Sequence, residues 1–85
     1  MWTEESEHHI WTRHQVTPAE AEQVVNTRPR LVEPGRDDTE HVFGTTDAGR
    51  YLLVVLTEAF DGRDYVVTAR DMTETERRTF VRRAR

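Results

Sequence analysis

The chain has 85 residues, 35% of them hydrophobic and 33% charged, with a mean hydropathy of -0.81 and a formal net charge of -4. That length buries only about 60% of the unfolded surface, enough for one domain (residues 1–85) with a modest core but not for two. Zero cysteines exclude a disulfide framework and Cys-based zinc sites, and the acidic balance argues against indiscriminate nucleic-acid binding, which phosphate attraction drives.

Charge is unevenly placed. Residues 1–40 carry nine acids and four arginines, whereas residues 63–85 carry four acids and seven arginines, so the C-terminal end is locally basic. All twelve basic residues are arginine, a bias that codon usage alone can produce. The opening MWTEESEHH is acidic where a secretory signal is basic and then apolar, and no apolar run approaches the roughly 18 residues of a membrane span. A cytoplasmic protein is the simplest expectation.

In chain order, Thr3 is placed to cap a short first helix over 4–14, with Glu4, Glu5 and Glu7 at its dipole-positive start. Thr17-Pro18-Ala19-Glu20 then supplies a cap, a proline at the first helical position and the acid of a capping box. A second helix therefore starts at Pro18, stapled by Val16 and Ala21, with Ala21, Val24 and Val25 as its apolar stripe, and Pro29 stops it. Segments 30–33 and 40–45 read as two strands around an exposed turn at Pro34-Gly35-Arg36-Asp37-Asp38.

Residues 51–56 are six consecutive apolar residues, too short and valine-rich for a surface helix, and suit a central strand buried on both faces. Asp47-Ala48-Gly49 before them fits a hairpin turn with Gly49 at positive φ, and Asp61-Gly62 fits the next turn. Strict alternation over 64–70 predicts Tyr65, Val67 and Ala69 on one face and Val66, Thr68 and Arg70 on the other. Thr73 and Glu76 form a second capping box for a last helix with Phe80, Val81 and Ala84 on its apolar side. The fold class is α+β, in the order ααββββα, with one antiparallel four-stranded sheet, two N-terminal helices and one C-terminal helix.

No glycine-rich phosphate loop is present, because Gly35, Gly44, Gly49 and Gly62 sit at separate points. His8 and His9 point about 100° apart on a helix and have no matching acid, so neither a metal nor another cofactor is expected.

Two segments, WTRHQVTPAEAEQVV and the run from Gly44 through TARDMTETERR, together resemble the BrnT family of small bacterial ribonuclease toxins, whose fold is similar to the RelE toxins. The resemblance spans about residues 10–78. It implies a toxin of a type II toxin-antitoxin system: a metal-independent endoribonuclease that inhibits translation by cutting mRNA, on or off the ribosome, and is neutralised by a ribbon-helix-helix antitoxin. Cleavage in such folds is attack by the ribose 2'-hydroxyl on the adjacent phosphate, which requires a base, an acid and cations for the phosphorane charge.

Arg70 in Thr68-Ala69-Arg70 matches the family's strand-end arginine and is the leading candidate for that cation; otherwise it is structural and pairs with an acid such as Asp71 or Glu74. Arg13 and His14 match the basic residue and histidine that close the family's first helix, with His14 either the acid-base group or a cap on helix carbonyls. His41 is the alternative acid or base, or a half-buried packing residue. Arg50, beside Gly49, matches the family's Gly-Arg before the central strand and would widen the cationic patch unless simply solvated. Arg77, Arg78 and Arg82 on the last helix would hold the RNA backbone or an acidic partner, or form a solvated face. The toxin reading predicts a basic cleft gathering Arg13, Arg50 and Arg70 with a histidine at its edge; a non-catalytic binding module on the same fold predicts a salt-bridged Arg70 and scattered histidines.

Overall fold

A computed structural model of the protein describes residues 15–58 and 64–84, without the side chains of Glu58 and Asp64. The expected first helix, the Asp61-Gly62 turn, Trp2, Trp11, Arg13 and His14 lie outside the described residues. Within them the elements are α1 (Pro18–Asn26), β1 (Arg30–Pro34), β2 (Thr39–Thr45), β3 (Tyr51–Glu58), β4 (Asp64–Asp71) and α2 (Glu74–Arg83). The four strands pair antiparallel in sequence order, which puts the apolar run of β3 at the centre beside β2 and leaves β1 and β4 as edges.

Both helices begin where capping chemistry requires. The Thr17 hydroxyl accepts from the Glu20 N–H at 3.1 Å and the Glu20 carboxylate accepts from the Thr17 N–H at 3.1 Å. Thr73 and Glu76 repeat the arrangement at the start of α2. Two orphan donors are satisfied at each helix start, and Thr17→Ala should cost about 1 kcal/mol in urea unfolding, with α1 loosened first.

The sheet carries a core on each face. On one, α1 packs Val16, Ala21 and Val24 against Val42, Leu52, Val54, Leu56, Val66 and Ala69. Gly44 allows that approach, since a Cβ there would lie 3.1 Å from Val24 Cγ1 and 3.2 Å from its carbonyl oxygen. On the other face, α2 places Phe80 over Phe43 and Leu53, with Leu31, Tyr51, Val55, Met72 and Ala84 around them. The two-sided burial of β3 follows directly from its unbroken apolar run.

Two local expectations need correction. Val66 and Ala69 share the α1 face because the register jumps from Val55↔Thr68 to Leu56↔Val66, leaving Val67 as an extra, 45% exposed residue in a bulge. Strict period-two alternation therefore fails across β4, as it must wherever one strand has a residue more than its partner. Val81 is 66% exposed and does not belong to the apolar side of α2, because it projects about 100° round the helix from buried Phe80. In the β1–β2 turn the left-handed positions are Asp37 (φ 53) and Asp38 (φ 62), a geometry aspartate tolerates through local hydrogen bonding. Gly49 has the positive φ expected of it, +86.

Candidate functional site

The β2–β3 turn, the C-terminal end of β4 and the start of α2 meet at one end of the sheet, and two of the sequence-selected arginines lie there. Arg70, the last residue but one of β4, lies opposite Leu53 and so faces α2. Its guanidinium makes a two-pronged bond to Glu76, Nη1 to Oε1 at 2.7 Å and Nη2 to Oε2 at 2.9 Å, and Nη1 also donates to the Asp71 carbonyl at 3.0 Å. The acid that holds it is thus Glu76, not Asp71 or Glu74. A strand that ends two residues before the cap of a helix brings the third helical residue back over the strand end, so the capping acid reaches the arginine as well as the Thr73 N–H, at 2.8 Å.

Arg50 takes the opposite side. Its Nε and Nη2 bond to the two Asp71 oxygens at 2.9 and 3.1 Å, and Nη1 donates to the Gln15 carbonyl at 2.9 Å and approaches Glu20 Oε2 at 3.3 Å. Asp71 pairs with Leu52 of the α1 face. Arg50 and Arg70 therefore converge on one residue, Asp71, from the two faces of the sheet: Arg50 on its carboxylate, Arg70 on its carbonyl. Gln15, the residue after His14, is held in this network by Arg50.

His41 is elsewhere. It shares the α2 face with Arg70 but pairs with Glu33 and Val55, two strands away, a lateral separation of about 10 Å at normal strand spacing. Its ring leans toward the β1–β2 turn, where a Cβ on Gly35 would stand 2.6 Å from Nε2, and it packs edge-on against Phe43 with centroids 6.4 Å apart. His41 is half-buried in this position.

On α2, Arg78 forms an exposed i,i+4 pair with Glu74 at 2.7 Å, and Arg83 stands 3.9 Å from Glu33 on β1. Arg77 is different. Its guanidinium carbon lies 4.1 Å above the centroid of the Tyr51 ring, which in turn meets Phe80 edge-on at 5.9 Å. Between α2 and β1–β2 lies a cleft of about 200 Å³ lined by Leu31, Glu33, Phe43, Thr75, Glu76 and Thr79. Its apolar floor and two glutamates make it a poor seat for phosphate.

The ion pairs shape the titration of two acids. The Arg70 fork, followed by the Thr73 backbone bond, holds the Glu76 carboxyl below its ordinary value of 4.5. For Glu20 the Thr17 backbone bond leads and Arg50 adds to it, again lowering the carboxyl below 4.5. A carboxyl with a depressed folded-state pKa contributes stability that is complete above its unfolded value and is lost as pH falls through the folded one. The urea midpoint should therefore be insensitive to these two groups from pH 7 to 5 and drop as pH goes below about 4.3, with Glu76→Gln removing part of the drop.

Superposition on known structures gives the architecture a counterpart. The crystal structure of the Brucella abortus ribonuclease toxin BrnT aligns over 87% of this chain and 95% of that one, with a TM-score of 0.69 at 16% sequence identity. The fold is BrnT-like. No family model matches the sequence, and no curated protein matches it significantly. The BrnT-like likeness covers the four-stranded antiparallel sheet and the C-terminal helix, so the strand end that carries Arg70 and the helix that carries Glu76 both belong to the shared architecture. Among the described residues of this BrnT-like structure, no group of three or more histidines or acids is placed to hold a metal ion, and no helix is long and apolar enough to cross a membrane.

Sequence reasoning missed the partners more than the arginines. Glu76 was legible as a capping residue and Tyr51 as a strand residue, and nothing local shows that either touches an arginine. The spacing was the available signal: an arginine at the last residues of a strand and a capping-box glutamate six residues later are within one helical turn of each other in space.

Proposed function

We propose that this chain is the toxin of a type II toxin-antitoxin pair and cleaves RNA by 2'-hydroxyl attack, acting in the cytoplasm as a single BrnT-like domain and neutralised by a ribbon-helix-helix antitoxin. The observation that carries the reading is the position of Arg70: a half-exposed two-pronged cation at the seam of β4 and α2, in a fold shared with a ribonuclease toxin. A phosphodiester oxygen pair has the same spacing as the Glu76 carboxylate and can replace it on the fork. The 2'-oxygen then bonds to phosphorus as the bond to the 5'-oxygen breaks, leaving a 2',3'-cyclic phosphate and a 5'-hydroxyl, with Arg70 bearing the charge of the phosphorane between.

One proton leaves the 2'-hydroxyl and one must reach the 5'-oxygen. His14 is the candidate for that exchange, one residue from the Gln15 that Arg50 anchors. His41 points to the far end of the sheet and would serve only a longer RNA path. Arg77, Arg78 and Arg82 extend the cationic surface along α2 for the flanking backbone, Arg50, tied to Asp71 and Glu20, adds a cation on the α1 side, and Arg13 is a further candidate cation by its place in the sequence.

A specific observation also favours the second reading, a non-catalytic binding module on the toxin fold. The Arg70 fork is occupied by Glu76 and the Asp71 carbonyl, as a structural arginine's would be. Growth separates the two: induction of the chain in a bacterial host should arrest growth, and Arg70→Ala at equal expression should relieve the arrest. No arrest by a soluble, folded parent would give the protein to the binding-module reading.

A further inference from the structure

We infer that Arg77 and Tyr51 form a stacking platform for one unpaired nucleobase of single-stranded RNA, beside the phosphate held at Arg70; this rests on the ribonuclease reading above.

The observation behind it is how differently the arginines are held. Arg50, Arg70, Arg78 and Arg83 each face a carboxylate. Arg77 makes no ion pair or hydrogen bond through its guanidinium among the described residues, yet it is fixed in place by lying 4.1 Å over the Tyr51 ring. Tyr51 is itself rigid. It opens β3, its carbonyl accepts from Met72 N–H at 3.1 Å, and its ring is set edge-on to buried Phe80. The result, among the described residues, is an exposed planar cation with one face on an aromatic ring and no hydrogen bond from its N–H donors.

Such a plane suits a base better than a phosphate alone. Splayed bases stack on arginine planes as they do on aromatic rings, and the stack is tolerant of sequence because every base has a π-face. The placement agrees. Arg77 follows Glu76, which grips Arg70, so a phosphate on Arg70 and a base on Arg77 are neighbouring demands on one strand. Arg77 also projects to the flank of α2 roughly opposite Thr75 and Thr79, away from the glutamate-lined cleft that repels a backbone. A base-paired strand cannot offer its face this way, so the substrate class is single-stranded.

The test uses a short single-stranded 2'-O-methyl RNA, which cannot be cleaved by 2'-attack, carrying 2-aminopurine at each position in turn. The parent should quench the fluorescence at one position. Arg77→Lys keeps the charge but not the plane, and should abolish the quench and weaken binding about tenfold, whereas the same exchange at exposed Arg36 in the β1–β2 turn should change neither. Tyr51→Leu, which frees the guanidinium, should weaken the quench in the same position; Arg77 is exposed, so its lysine variant tests the idea even if the tyrosine variant is destabilised. Equal binding and quenching by Arg77→Lys would overturn the platform while leaving the ribonuclease reading to the Arg70→Ala growth result. A parent that binds no RNA and arrests no growth would overturn both.

Discussion

Replacing Arg70 with alanine is expected to lower RNA cleavage by about 10²- to 10³-fold, the usual loss when one preorganised donor to a developing oxyanion is removed. Cleavage would be followed by the appearance of 2',3'-cyclic phosphate ends on a purified transcript. Arg70→Lys should recover little of the loss, because an ammonium is a point charge and cannot match two oxygens with two parallel donors. Glu76→Gln should act in the other direction on binding. It keeps the shape but removes the charge that competes for the fork at 2.7 and 2.9 Å, so RNA affinity should rise several-fold while stability falls by about 1 kcal/mol through the weakened pair and cap. Under the binding-module reading the pattern is different: no cyclic phosphate from any variant, and only the loss of stability from both. Circular dichroism of each variant separates a dead site from an unfolded chain.

Leu52→Ala should cost about 3 kcal/mol in urea unfolding, with an unchanged denaturant slope. Leu52 is fully buried in the central strand, lies between Gly44 and Asp71 on its neighbours, and belongs to the core under α1. Nothing nearby can collapse into the space: Gly44 has no side chain to move, and Ala21 is already at its smallest. A domain of this size has a total stability of about 4–13 kcal/mol, so one methyl cluster is a large share of it. Val81→Ala, a smaller truncation of a residue that looks equally apolar in the sequence, should change stability by less than about 0.5 kcal/mol, because the side chain is 66% exposed. A loss at Val81 comparable to that at Leu52 would mean that α2 seats differently on the sheet.

The site was half legible. Arg50 and Arg70 were found because an arginine next to a turn glycine and one at a strand end are local facts, visible in Gly49-Arg50 and Thr68-Ala69-Arg70. Their grouping was not. Alternation along β4 placed Arg70 correctly against Thr68 but put Val66 with them, since a bulge at Val67 changes the count without a glycine or proline to announce it. The two arginines ended on opposite faces for the same reason that β3 is buried on both sides: adjacent strand positions point apart, and Leu52 and Leu53 send their neighbours Asp71 and Arg70 to different helices.

The sequence by itself determined the element order over the described residues, both helix starts and the central strand, because caps, turns and hydrophobic period act within a few residues of chain. It also determined that positive charge gathers at the C-terminal end. Only the tertiary structure decided which acid each arginine meets, that His41 leans away toward Gly35, and that Arg77 lies on an aromatic ring. Those are contacts between residues six to thirty-five positions apart, or between a helix face and a strand face. Their partners are chosen by how α1 and α2 dock on the two sides of the sheet, and apart from the six-residue spacing of Arg70 and Glu76 no local rule carries that information.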